Sequence, residues 1–157
     1  MQWVSYLETT LGSIAIRANA EGLTEVAFIT TQTQPACPNQ HTQQGKQQLT
    51  EYFASQRTQF TVALAAFGTP FQQRVWQTLV AIPYGETRSY GEQAVAIGQP
   101  TASRAVGMAN SKNPIAIIVP CHRVIGKSGK LTGYASGLDK KSWLLDHEQQ
   151  YLQRAST

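Results

Sequence analysis

Cysteine is scarce in this sequence: Cys37 and Cys121 are the 2 cysteines among 157 residues. Two cysteines cannot form the disulfide framework of a small secreted protein, and with three histidines they match no clean zinc-ligand spacing. We therefore expect a protein of a reducing compartment, the cytoplasm, that uses no metal and no cofactor.

Long apolar segments are also missing. Residues 1–12 contain neither the basic nor the apolar region of a signal peptide, and the apolar run Ile115–Val119 is far too short to span a membrane. We expect no membrane partner.

Charged residues make up only 14% of the chain, and the two signs are unevenly distributed. Residues 1–66 carry three basic and four acidic side chains, a net charge of −1, whereas residues 67–157 carry ten and five, a net charge of +5. The basic half favours an anionic partner such as nucleic acid, although on charge alone a mildly basic solvated surface is the simpler explanation. The 41% apolar content is typical of a globular chain.

The N-terminal residues alternate as strands do. Residues 3–7, 13–17 and 25–29 are separated by turn signals at Gly12 and Gly22, which predicts a small antiparallel meander.

The next stretch, residues 31–48, is rich in glutamine and is predicted to be surface loop that leads into a helix containing Leu49, Tyr52 and Phe53. Cys37 with His41 would supply only two metal ligands, so both are interpreted as loop residues.

The pattern changes at Gly68, where a second domain is predicted to begin, giving domains 1–66 and 67–157. Thr69 as N-cap, Pro70 at the first helical position and Gln72 as the capping-box partner predict the start of a helix. Its predicted apolar stripe consists of Phe71, Val75, Trp76, Leu79 and Val80.

Two shorter helices are predicted next. Ser89 and Glu92 form a capping box for a helix that runs through Ile97, and after a glycine turn Thr101 is expected to cap a third helix from Ala102 to about Ser111. Such a pair favours a helix-turn-helix, although helical hairpins also occur in ordinary cores.

The third helix carries a single charged side chain, Arg104, among small residues. A helix that reads the major groove presents several long polar side chains, so this composition favours close approach to a narrow minor groove, with Arg104 as the one long probe. Tight packing of small residues against neighbouring helices explains the composition equally well.

Cys121 and His122 follow Pro120 and the run 115–119, which is predicted to be a buried strand. A cysteine beside a histidine can be a nucleophile with a nearby base, and a thiol of ordinary pKa needs such help at neutral pH. Adjacent residues of an extended segment point to opposite faces, so His122 reaches the thiol only if the chain bends or through water. A buried, inert cysteine is the alternative.

A C-terminal helix, predicted over residues 138–153, places Glu148 on its apolar stripe. Burial without a partner would cost several kcal/mol, so a histidine or an arginine should face Glu148. With His122 as that partner, the three side chains form a Cys-His-Glu relay. An arginine paired for purely structural reasons is the alternative.

An ordered set of motifs resembles the O6-alkylguanine-DNA alkyltransferase family. The resemblance covers about the last ninety residues, and the first sixty or so match only in kind. The motifs are Gly68–Trp76, Ile82–Gly91, Ala105–Gly107, Asn113-Pro114, Pro120–Val124, Gly133-Tyr134 and Trp143–Glu148. The resemblance implies an α/β fold: a small N-terminal antiparallel sheet plus helix domain, then an α-helical, winged-helix-like domain with the helix-turn-helix.

The resemblance also implies a reaction, in which an alkyl group passes from O6 of guanine, or from O4 of thymine, to Cys121 in one turnover per molecule. His122, oriented by Glu148, would remove the thiol proton through water. The family's pattern further implies that Asn113 ties the recognition helix to the active-site turn, that Tyr90 assists the leaving guanine, and that Lys141 lies near the thiol or O6.

The same resemblance implies a substrate pocket and a DNA surface. The pocket residues would be Tyr134, Val124, Ala135 and Ser136. Ala135 lacks the hydroxyl that relatives often place there, so backbone N–H groups would bind O6 and the preferred alkyl size is open. The partner would be double-stranded DNA containing an alkylated, flipped guanine, bound through the minor groove by a monomer with Arg104, Ala102, Ala105 and Gly107.

Two alternatives remain at this point. The first is an alkyltransferase-like protein, which binds lesions without transferring the alkyl group and has another residue in place of the cysteine. The presence of Cys121 argues against this alternative. A thiol hydrolase using Cys121, His122 and Glu148 would turn over a small ester or amide.

Overall fold

The computed structural model describes residues 2–155 and divides into two compact units. One comprises the chain up to Phe67 together with Pro114–Ile118; the other comprises Gly68–Asn113 and the chain from Val119 onward. The predicted fold class is confirmed: an antiparallel sheet with a helix comes first, and a mainly helical unit follows.

The sheet of the first unit has three strands, β1 (Trp3–Thr9), β2 (Gly12–Ala18) and β3 (Leu23–Ile29). They pair antiparallel in the order β1-β2-β3, which confirms the predicted meander. Gly12 has φ +123°, a conformation that a side chain would disfavour, and it lets the chain reverse between β1 and β2.

Helix α1 (Gln40–Phe53) packs against β1 and β2. The prediction of loop for residues 31–48 is therefore wrong from Gln40 onward. Asn39 accepts a hydrogen bond from the Thr42 backbone N–H, and the Thr42 hydroxyl accepts one from the Asn39 N–H, so the pair starts the helix as a capping box. Glutamine is itself a good helix former, which the polar composition concealed.

Residues 115–119 are buried except for the half-buried Ala116, but the predicted strand is wrong. Only Ile115 pairs as a strand residue, through an isolated parallel bridge to Val26. The chain then turns, with Ile117 at φ +70°. The Val26 N–H donates to the Pro114 carbonyl, and Pro114–Ile118 lies in the first unit, although the predicted division assigned it to the second.

The second unit contains four helices and a short parallel ladder among its described residues. They are α2 (Pro70–Val80), β4 (Arg88–Ser89), α3 (Tyr90–Ala96), α4 (Ser103–Ser111), β5 (Val124–Ile125) and α5 (Leu138–Ala155). No helix within residues 2–155 is both long and apolar enough to cross a membrane.

The capping boxes predicted at Thr69 and Ser89 are both confirmed. The predicted cap of α4 is wrong: the N-cap is Ala102 rather than Thr101, and no side chain caps this end. Val80 was predicted to join the apolar stripe of α2 but is 54% exposed.

Directional hydrogen bonds connect α2, α3 and α4. The Trp76 indole N–H donates to the Ala109 carbonyl at 2.9 Å. The buried amides of Gln93 and Asn110 donate to each other at 2.9 and 2.8 Å. These bonds fix α4 against both neighbours.

Candidate active site

A single 3₁₀ turn, Cys121–Arg123, follows Pro120 and carries the predicted nucleophile and base. The chain is therefore bent here, which is one of the two conditions under which His122 can act on the thiol, the other being a bridging water. His122 is fully buried and Arg123 is 5% exposed, whereas Cys121 is half-buried. The turn places two ionisable side chains in the core directly after the thiol.

Helix α5 brings Glu148 to this turn, with the carboxylate buried. The distance between His122 Nε2 and Glu148 Oε2 is 2.7 Å, so the structure brings these two predicted relay residues together. Since an ionised carboxylate only accepts hydrogen bonds, the ring proton lies on Nε2. Nδ1 is then the acceptor of the ring, and it is buried with no hydrogen-bond partner among the described residues.

Glu148 remains a carboxylate. Burial raises its pKa, but the hydrogen bonds from His122 and Arg123 and the charge of Arg123 more than offset burial and hold the pKa well below its usual range. Burial also lowers the pKa of His122; the Glu148 hydrogen bond opposes this effect, and the Arg123 charge adds to it. The histidine is therefore a neutral base at physiological pH.

The thiol of Cys121 is not intrinsically activated. Burial raises its pKa, while the Asn113 side-chain hydrogen bond and the Lys141 charge lower it in part. Asn113 also donates to the Val119 carbonyl at 2.8 Å, which joins the residues after α4 to the active-site turn. A thiol in this state needs a base to remove its proton.

Tyr90 and Lys141 converge on Thr132. The buried Lys141 Nζ donates to the Thr132 carbonyl at 2.6 Å and to the Gly133 carbonyl at 3.3 Å. The Tyr90 hydroxyl lies 3.2 Å from both the carbonyl and the hydroxyl of Thr132. The loop before α5 therefore positions both side chains.

The predicted pocket residues differ in their environments. The Tyr134 hydroxyl is buried without a hydrogen-bond partner among the described residues, and burial raises its pKa. Val124 is fully buried in β5, Ala135 is exposed and Ser136 is half-buried. A buried, unpaired hydroxyl is suited to an incoming polar ligand group.

The predicted DNA-binding residues lie along α4 and its N-terminus. Arg104 and Ala105 are exposed, and Ala102 is half-buried. A Cβ on Gly107 would meet the Tyr90 ring at 3.7 Å, so the glycine allows α4 to approach this tyrosine. The contact at Gly107 fits the interpretation that the small residues allow tight packing, and the approach of α4 to a minor groove stays a prediction.

Arg123 is the main site residue that the sequence reasoning missed. Its guanidinium donates to both oxygens of Glu148, from Nε at 2.9 Å and from Nη2 at 3.1 Å. The expectation that Glu148 faces a histidine or an arginine was sound, and both are present. Within residues 2–155, no group of three or more His, Cys, Asp or Glu side chains could hold a metal ion.

Comparison with known proteins places this geometry in a family. The model for the ribonuclease-like domain of 6-O-methylguanine DNA methyltransferase matches residues 3–66, and the model for its DNA-binding domain matches residues 70–150. The chain belongs to the 6-O-methylguanine DNA methyltransferase family.

Individual relatives and solved structures support the same family assignment. The chain is 50% identical over 152 residues to the methylated-DNA–protein-cysteine methyltransferase of Methanosarcina acetivorans, covering 93% of this chain and 97% of the relative. It resembles the crystal structure of the Mycobacterium tuberculosis O6-methylguanine methyltransferase with a TM-score of 0.87 and 46% identity, covering 96% and 94% of the two chains. The M. tuberculosis protein in complex with DNA matches with a TM-score of 0.85 and 48% identity over 93% and 92%.

Proposed function

We propose that this protein repairs DNA by transferring a methyl or other alkyl group from O6 of guanine to its own Cys121. The observation that supports this most directly is the buried His122–Glu148 pair beside the thiol, with Nδ1 of the histidine left as an open acceptor. The names of the relatives, methylated-DNA–protein-cysteine methyltransferases at up to 50% identity over nearly the whole chain, support the same reaction.

The chemistry balances within the site. The thiol proton passes through a water molecule to His122 Nδ1, and the thiolate attacks the alkyl carbon. The S–C bond forms as the C–O6 bond breaks, and the guanine takes a proton from the Tyr90 hydroxyl. Tyr90 regains a proton from His122 through solvent, so the proton lost by the thiol ends on guanine.

One turnover per molecule follows from the product. The S-alkyl thioether has no good leaving group, and the proposed site offers no second nucleophile. The protein is therefore consumed by the reaction. O4-alkylthymine also carries an alkyl carbon bonded to a base oxygen, which the same sulfur could attack, and it is the second candidate substrate.

We assign the remaining site residues to positioning and binding. Asn113 ties the DNA-binding helix to the active-site turn through its bond to Val119. Lys141 lies near the thiol and lowers the pKa of Cys121. The pocket for the flipped base is formed by Tyr134, Val124, Ala135 and Ser136.

DNA binding is assigned to the second domain, residues 67–157, with α3 and α4 as the helix-turn-helix of a winged-helix-like unit. Small residues at Ala102, Ala105 and Gly107 let α4 approach the minor groove, and the exposed Arg104 fills the stack after the damaged base is flipped out. An alkylated guanine pairs poorly, so its extrusion costs less than that of a normal base. We propose a monomer as the active form and the cytoplasm as its location.

Intact mass spectrometry tests the proposal. After incubation with duplex DNA containing O6-methylguanine, each molecule should gain the mass of one methyl group, and peptide mapping should place it on Cys121. Cys121→Ser should gain nothing, while Cys37→Ser, which alters the exposed cysteine, should react as the wild type does. Continued turnover, or methylation of Cys121→Ser, would disprove the proposal. An unmodified wild-type protein that still binds the lesion would identify a lesion sensor.

A further inference from the structure

The carboxylate of Glu148 receives four hydrogen bonds from three described residues, which lie in two segments of the chain. The Gly85 N–H (3.0 Å) and Arg123 Nε (2.9 Å) donate to Oε1, while His122 Nε2 (2.7 Å) and Arg123 Nη2 (3.1 Å) donate to Oε2. A carboxylate offers about four acceptor positions, so these donors account for its capacity. His122 therefore holds one position of four, and Arg123 holds two.

Charge in this buried cluster is balanced without the histidine. The guanidinium of Arg123 is permanently protonated and Glu148 is a carboxylate, so the two charges cancel. A proton on His122 would leave one uncompensated positive charge in the core, where isolated charge is costly. Lys141 on α5 also lowers the pKa of His122, so it further disfavours a proton on the histidine, and the raised pKa of Cys121 keeps that residue an uncharged thiol.

Without Arg123, the negative charge of Glu148 would have no permanent positive partner in this cluster. Glu148 would then be neutralised most easily by a proton on His122, forming a buried carboxylate–imidazolium pair. The imidazolium carries hydrogen on both nitrogens and accepts no proton. A Cys-His-Glu relay in that state could not deprotonate its thiol.

We propose that Arg123 is a positioning residue for the relay: by pairing with both oxygens of Glu148, it leaves His122 neutral with Nδ1 free of hydrogen and able to accept a proton. The proposal rests on the alkyl transfer assigned to Cys121. The two partners of Glu148 would then have different roles: Arg123 balances the charge of the carboxylate, and His122 receives the proton of the thiol.

The surroundings of Arg123 suit this task. Nη1 donates to the Ile82 carbonyl at 2.7 Å, and the guanidinium lies 5.6 Å from the centroid of the Tyr84 ring. All three nitrogens of the guanidinium are therefore engaged, and its plane is fixed against the carboxylate. A lysine would retain the charge but not the paired geometry.

Two substitutions separate charge from geometry. Arg123→Met removes the charge at similar length, and Arg123→Lys retains it. Single-turnover transfer to Cys121, measured from pH 6 to 9, should be nearly flat above about pH 6.5 in the wild type, because the base is already neutral there. Arg123→Lys should be slower with the same profile.

Arg123→Met should show a changed profile. Its rate should rise with pH across the neutral range, losing up to about tenfold for each pH unit below the new inflection, and should approach the Arg123→Lys rate near pH 9. A loss by the same factor at every pH would overturn the proposal and assign Arg123 to folding alone.

Nitrogen-15 NMR of the histidine rings supplies a readout that does not depend on transfer. In the wild-type protein at pH 7, His122 should be neutral with its proton on Nε2, and in Arg123→Met it should be an imidazolium. An imidazolium in the wild type would overturn the proposal even if Arg123→Met fails to fold, and a neutral His122 in folded Arg123→Met would overturn it as well. Absence of alkyl transfer by a wild type with neutral His122 would instead disprove the proposed function.

Discussion

The two units of this protein bury polar groups in different ways. The first unit buries neutral ones, such as the Ser5 hydroxyl, which donates to Thr42 Oγ1 at 2.9 Å. Among the described residues, the buried charged side chains all belong to the second unit: Arg123, Lys141 and Glu148, with His122 beside them. Buried charged side chains therefore mark the unit that carries the proposed chemistry.

The difference has an energetic meaning. A neutral hydrogen-bonded pair contributes about 1 kcal/mol and can be lost with little consequence. A buried charge cluster is tolerated only when it is complete, because removal of one partner leaves an unpaired charge and costs about 3–5 kcal/mol. The second unit is therefore more sensitive to the loss of a single side chain. The same charged cluster fixes the position of the proton on the base His122.

The largest effect is expected when the buried relay residues of the second unit, His122 and Glu148, are replaced. His122→Ala and Glu148→Gln should each slow alkyl transfer by about 10²–10⁴-fold, since each removes general-base catalysis of thiol deprotonation. Binding to unmodified duplex, measured by fluorescence anisotropy, should change little. Wild-type transfer rates in folded variants would assign both residues to structure.

A smaller effect is expected at the exposed Arg104 on α4. Arg104→Ala should slow repair of alkylated duplex by about 10- to 100-fold, because the inserted side chain offsets a few kcal/mol of lost base stacking. The same variant should react with free O6-alkylguanine base at the wild-type rate. Arg104→Lys, which keeps charge but not planarity, is the matched control. Equal losses on duplex and free base would contradict a role in base flipping.

Stability should depend on pH through the second unit. Folded His122 has a lowered pKa, so the unfolded chain binds a proton that the folded protein does not, and the free energy of unfolding should fall as pH decreases below about 6.5. Glu148, whose folded pKa is also lowered, adds a further decrease below about pH 4.3. Each group contributes at most about 1.4 kcal/mol per pH unit.

Urea unfolding at pH 7.5, 6.0 and 5.0 measures this slope. His122→Gln, which retains a donor for Glu148, should flatten the decrease between pH 6.5 and 5. An unchanged slope in that variant would show that other groups take up the protons.

The smallest effect is expected in the first unit. Ser5→Ala removes one neutral hydrogen bond and should lower the free energy of unfolding by about 1 kcal/mol, because Thr42 Oγ1 still bonds to the Asn39 backbone. Alkyl transfer should remain unchanged. A transfer defect in Ser5→Ala would break the division of roles between the units.

The features that the sequence predicted correctly depend on neighbouring residues. The three strands follow from alternation between glycine turns, and the starts of α2 and α3 follow from capping residues three positions apart. Glu148 was recognised because a glutamate on an apolar stripe requires a partner.

The features that it did not predict depend on contacts between distant segments. Residues 115–119 have strand composition, but after the single bridge at Ile115 the chain turns at Ile117. The two-sided pairing of Arg123 with Glu148 needs α5 and the 3₁₀ turn to meet, and the fourth hydrogen bond needs the turn at Gly85 as well. No local pattern encodes that meeting.

The bond between Trp76 and Ala109 also gives the protein an optical reporter. The indole is 5% exposed and its N–H is fixed to a carbonyl of α4, so its emission depends on where that helix lies. The chain has three tryptophans, and replacing Trp3 and Trp143 with phenylalanine leaves Trp76 as the single tryptophan. Movement of α4 during a reaction can then be followed in real time, without an added dye.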